Sequence, residues 1–139
     1  MTRKEIAVGY FNEGYNCAQA VVLAFADKLP FGEDELKRIA APFGGGMGRL
    51  REVCGAVSGM VLLAGLSREW DTLDRKSKNE LYALERKLAE EFRGRAGAIV
   101  CRELLVSRPH GDVHNSQKPG CAELVGTAAE IVEENGLFG

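Results

Sequence analysis

At 139 residues the chain has the length of one domain, read here as a single helical domain over 1–139 with a four-cysteine site. Its 45% hydrophobic and 27% charged residues fit a globular protein, and a chain of this size buries roughly 70% of its unfolded surface, so no disulfide staple is required. The net charge of -2 excludes an electrostatic case for nucleic acid, and the longest apolar stretch, 57–66, is too short for membrane insertion.

The first residues, Met1-Thr-Arg-Lys-Glu, lack the apolar run of a signal peptide, which predicts a cytoplasmic chain. Thr2 caps a first helix to about residue 12, with Glu5 in the capping-box position and Ile6, Val8 and Tyr10 on its apolar side. Gly14 ends it. Asn16 is the expected N-cap of a second helix over 17–28, with Ala20, Val21, Ala24 and Phe25 on one face. Pro30 and Gly32 break the chain, and 33–41 forms a short third helix before Pro42.

A glycine turn over 44–48 leads into a small-residue helix over 51–66, whose composition predicts burial on nearly every side and a place at the centre of the bundle. Asp71 or Thr72 starts a long helix to about residue 92, with Leu73, Leu81, Leu84, Leu88 and Phe92 along its core side and Lys, Arg and Glu opposite. Gly94 and Gly97 mark a connection before a short helix over 98–106 that carries Cys101. A polar loop follows over 107–117, and Pro119 opens a last helix to about residue 134, stopped by Asn135-Gly136. No stretch alternates like a strand. The fold class is all-α, a bundle of six or seven helices.

The four cysteines, Cys17, Cys54, Cys101 and Cys121, are far apart in sequence, and none belongs to a CxxC pair. Cys17 and Cys121 fall in the first turn of predicted helices, Cys101 falls close to one, and Cys54 follows the glycine turn. Unpaired N–H groups and the positive end of the helix dipole favour thiolate there, which nominates Cys17 or Cys121 as a low-pKa nucleophile. Three readings of the set stay open. The thiols could form reversible disulfides, with three possible connectivities and no cofactor. They could together hold zinc or an iron–sulfur cluster. They could simply be packed as small hydrophobes.

Gly55 and Gly59 leave one helix face bare beside Cys54, for close helix packing or for something bound next to the sulfur. The Gly44-Gly45-Gly46-Met47-Gly48 run lacks the strand and the Gly-Lys-Ser/Thr ending of a phosphate loop, and reads as a tight turn or a wall of the cysteine pocket. Together Gly44, Gly45, Gly46, Gly55 and Gly59 are the residues expected to make room for a ligand or partner. His110 and His114 lie four apart, but in a loop with Pro109 and Gly111, where helical spacing does not apply. Ser58 has no evident His–Asp partnership.

Tyr15-Asn-Cys-Ala-Gln-Ala20, Phe43-Gly-Gly-Gly-Met-Gly48, Cys54-Gly-Ala-Val-Ser-Gly59, Cys101-Arg-Glu-Leu-Leu105 and Cys121, in that order, resemble the C_GCAxxG_C_C family of redox-active proteins. Val53 stands where the family's name has a glycine, and the CGAxxG core is intact. The resemblance implies a small, mainly helical bacterial or archaeal protein and nominates Cys17, Cys54, Cys101 and Cys121 as its site. Because genes for such proteins often lie near transporter genes, it also implies association with a transporter.

The leading expectation is therefore a cytoplasmic thiol–disulfide oxidoreductase whose partner is a redox protein or a small thiol or disulfide. The alternatives are a metal or iron–sulfur module on the same four cysteines, and a non-catalytic helical binding module.

Overall fold

The computed structural model describes residues 1–107 and 119–139. Among the described residues the chain forms seven helices and no strand. These are α1 (Arg3–Glu13), α2 (Cys17–Leu23), α3 (Glu33–Ala40), α4 (Gly55–Leu66), α5 (Arg75–Ala96), α6 (Cys101–Ser107) and α7 (Pro119–Glu134). No helix among them is long and apolar enough to cross a membrane.

Local chemistry sets most of the boundaries. Thr2 and Glu5 form a reciprocal capping box at α1, and Asn16 and Gln19 form another at α2. Gly14 ends α1 in the left-handed conformation at φ 117°, and Gly97 ends α5 in the same way at φ 97°. The start of α5 is later than the sequence suggests. Asp74 caps it through Ser77 N–H at 2.9 Å, whereas Asp71 accepts from Leu73 N–H in the turn before. Leu73, expected on the core side, therefore precedes the helix and is 94% exposed, while Leu88 and Phe92 are buried. The second helix is likewise shorter than expected, ending at Leu23 before a 3-10 turn over Ala26–Lys28.

The glycine run is no ordinary turn. Gly45, Gly46, Met47, Gly48 and Arg49 all have φ between 61° and 70°, and Arg51 has φ 62°. This is a left-handed coil, and it delays the start of α4 from the expected residue 51 to Gly55. Met47, Arg49 and Arg51 each bear the steric strain that a Cβ meets in this region, on the order of 1–2 kcal/mol per residue. Backbone bonds hold the coil: Gly48 N–H to Pro42 O at 3.1 Å, Arg51 N–H to Gly45 O at 3.2 Å and Glu52 N–H to Gly46 O at 3.0 Å. Residues after the coil then lie antiparallel to the residues that lead into α6, with Val53 bridged to Val100.

The centre of the bundle is shared. Every side chain of α2 except Gln19 is buried, and α2 touches α1, α3, α4 and α7. Helix α4 packs on α2, α5 and α7, and α1 lies along α7. The approach of α2 to α4 is set by glycine. A Cβ on Gly59 would stand 2.9 Å from Val21 Cβ and 3.1 Å from Ala18 O, so no side chain fits without separating the helices. Gly65, on the same helix, is exposed and faces open space.

The two glycines therefore respond oppositely to alanine. Gly59→Ala should lower the free energy of unfolding by about 1–3 kcal/mol through overpacking. Gly65→Ala should raise it by about 0.5–1 kcal/mol through helix propensity. Urea denaturation of both variants checks this, and equal effects would contradict the packing seen here.

Candidate functional site: a cavity lined by four thiols

Each of the four cysteines stands at the beginning of a helix. Cys17 and Cys101 are the first residues of α2 and α6, Cys54 is the N-cap of α4, and Cys121 is the third residue of α7. All four are buried, none is in a disulfide, and all line one small cavity. Gly45, Gly46, Gly55, Arg51, Leu104, Leu105 and Leu124 complete its wall. The space open to the centre of a water-sized sphere is about 20 Å³, room for about one water molecule.

The local fold explains the convergence. Cys54 N–H donates to Ile99 O at 2.8 Å and Arg102 N–H to Arg51 O at 3.2 Å, so the chain before Cys54 is clamped alongside the chain around Cys101. The left-handed coil supplies the other wall. A Cβ on Gly46 would meet Cys101 Cβ and Glu52 N at 2.7 Å, and one on Gly55 would meet Cys17 Cβ at 3.2 Å. Gly45, Gly46 and Gly55 thus face the cavity. Gly44 lies against the side chain of Asn16 and Gly59 against Val21, so packing accounts for both.

Cys17 and Cys54 are not activated in the manner their helix starts suggest. Cys17 is pushed well above the ordinary thiol range by a hydrogen bond shared with Cys121, then by burial and the neighbouring sulfurs. Its expected role as a low-pKa nucleophile is not what this geometry provides, because full desolvation outweighs the partial charge of a helix end. Burial likewise pushes Cys54 up to about 12, although the backbone N–H groups of Ala56 and Val57 donate to its sulfur and act in the opposite sense.

Cys101 differs. Burial raises it too, but the Arg51 guanidinium opposes the rise by donating from Nη1 to Cys101 Sγ at 3.8 Å. The other terminal nitrogen, Arg51 Nη2, is buried and has no hydrogen-bond partner among the described residues. Arg51 is the residue of the cavity wall, in contact with a cysteine, that reading the sequence missed. The available signal was a cation three residues before Cys54, at the end of a glycine run.

Among the described residues no three Cys, His, Asp or Glu side chains converge closely enough to hold a metal ion. The sulfurs share a cavity without forming a tetrahedral set. His110 and His114 lie outside the described residues.

A family model described as "Putative redox-active protein (C_GCAxxG_C_C)" matches residues 15–135, which takes in all four cysteines and the glycine coil. No curated protein and no solved structure matches the chain.

Burial of protonated thiols has a measurable pH signature. An unfolded cysteine titrates near about 8.5, and Cys54 in the folded chain titrates at about 12. The folded state therefore keeps a proton that the unfolded state has lost across this window. Stability is intact below about pH 8.5 and falls as the pH rises through it, by up to about 1.4 kcal/mol per pH unit for each such thiol. Urea unfolding at a series of alkaline pH values should show this fall, and Cys54→Ala should make it shallower.

Proposed function

The chain belongs to the C_GCAxxG_C_C family, and from that premise we propose that it is a cytoplasmic thiol redox protein in which Cys17 and Cys121 close reversibly into a disulfide. What carries this reading is the hydrogen bond shared by the two thiols in a cavity lined by four. Thiols within hydrogen-bonding reach of one another are the pair placed to close into a disulfide once they approach to bonding distance. Oxidation removes two electrons and two protons from the pair, and a reducing thiol returns them by exchange. The apolar wall of Leu104, Leu105 and Leu124 limits access to the sulfurs, so the pair is protected from adventitious thiols. In a reducing compartment such a disulfide is transient and functional rather than structural.

Four thiolates on one zinc ion or iron–sulfur cluster would require Cys17, Cys54, Cys101 and Cys121 to move from their present positions, since no three converge. The dithiol reading asks only Cys17 and Cys121, already hydrogen-bonded, to approach one another.

The test is performed on protein purified without air. Mild oxidation with diamide should remove two thiols per chain, and peptide mapping should place them in a Cys17–Cys121 disulfide that dithiothreitol reverses. Cys17→Ser should abolish that product and leave the helical circular dichroism unchanged. Near-stoichiometric iron or zinc with all thiols masked until its removal would replace this reading with the metal module. Four inert thiols without metal would leave a helical binding protein.

A further inference from the structure

We propose that Arg51 and Cys101 form a reduction site for hydrogen peroxide, with one guanidinium nitrogen holding the sulfur and the other receiving the leaving oxygen. The proposal rests on the thiol–disulfide reading of the cavity and names its oxidant. Arg51 Nη1 donates to Cys101 Sγ at 3.8 Å, and Nη2, on the same rigid fork, is buried with no partner among the described residues. A guanidinium does not give up its proton in a protein, so Nη2 remains a charged donor held beside the sulfur.

The backbone fixes that arrangement. Arg51 sits at φ 62°, its N–H bonds to Gly45 O at 3.2 Å, and its carbonyl accepts from Arg102 N–H and from Arg102 Nη1, each at 3.2 Å. A non-glycine residue in the left-handed region, tied at both its N–H and its carbonyl, is the kind of local strain that accompanies placement of a functional side chain.

Size and charge select the ligand. Space on the scale of one water admits a peroxide and excludes a disulfide such as oxidised glutathione unless the walls part. A permanent anion would have to shed its water against the apolar leucines that wall the cavity beside Cys101. Hydrogen peroxide enters neutral and gains negative charge only on the departing oxygen, where Nη2 can receive it.

The chemistry balances. Cys101 sulfur attacks one peroxide oxygen, forming the S–O bond as the O–O bond breaks. Sulfur loses two electrons, the two oxygens gain them, and the departing hydroxide takes the thiol proton to leave as water. Cys121 then attacks the sulfenic sulfur, expelling a second water and forming a Cys101–Cys121 disulfide. Cys17 attacks Cys121 in turn, passing its proton to the released Cys101 sulfur and leaving the Cys17–Cys121 pair.

The experiment follows the reduced protein with hydrogen peroxide and, separately, with iodoacetamide, which reports thiolate reactivity alone. The expected result is a peroxide rate constant well above that of free cysteine, with the sulfenic acid trapped by dimedone on Cys101. Arg51→Lys and Arg51→Gln should lower that rate on the order of 10²-fold, as loss of an oxyanion donor does. Iodoacetamide alkylation of Cys101 should fall less than about tenfold, the smaller effect on thiolate population. The proposal is overturned if peroxide and iodoacetamide rates fall in step, or if dimedone marks a different cysteine. A wild-type rate no faster than free cysteine also overturns it, and decides the question alone should the Arg51 variants not fold. If diamide still closes Cys17–Cys121 in that last case, the peroxide proposal falls and the dithiol reading stands. If diamide closes no pair, both fall.

Discussion

The contact on which the rest of this structure depends is the meeting of α2 and α4 at Gly55 and Gly59. Remove the two bare positions and Val21, Ala18 and Cys17 can no longer approach the backbone of α4. That approach buries almost the whole of α2 and brings the start of α2, with Cys17, level with the start of α4, with Cys54. The pocket is therefore a by-product of tight packing in the core. Its location is set by where two helices begin, and its small volume by how closely they meet.

Within the pocket two electrostatic effects compete, and their magnitudes decide the outcome. A helix end contributes about half an elementary charge, spread over several N–H groups and worth at most about 2 kcal/mol. Desolvating a thiolate can cost several pKa units. For Cys17 and Cys54 burial wins, so these sulfurs rest as thiols despite their helix-end positions. Among the described residues, only beside Cys101 does a full positive charge enter the same space. Four similar residues thus acquire different chemistry from their neighbours.

Much of the architecture was legible because it is encoded locally. Thr2 with Glu5, Asn16 and Gly14 announce helix boundaries through short-range capping, and the structure places them there. The helix-start positions of Cys17 and Cys121 could be read for the same reason. What could not be read depends on tertiary position. Leu73 fits the apolar period of α5, but the choice of Asp74 as cap leaves it outside the helix. The start of α4 was misplaced because Met47, Arg49 and Arg51 adopt a conformation that side chains disfavour, so propensity argues against the truth there. Arg51 was missed because its place three residues before Cys54, at the end of the glycine run, does not say which way its side chain turns. Its meaning depends on Cys101, fifty positions away.

The left-handed coil has a further consequence for the order in which the molecule assembles and comes apart. A run of mirror-handed residues has no local preference to form, and it gains favourable energy only once the helix starts around it are in place. Its shape therefore depends on the backbone bonds that close it, from Gly48, Arg51 and Glu52 back to Pro42, Gly45 and Gly46. The segment that walls the sulfurs thus holds its shape through those bonds rather than through residue preference. Transient opening of the molecule, short of global unfolding, would then begin at that wall, admitting small solutes while the helical core remains intact.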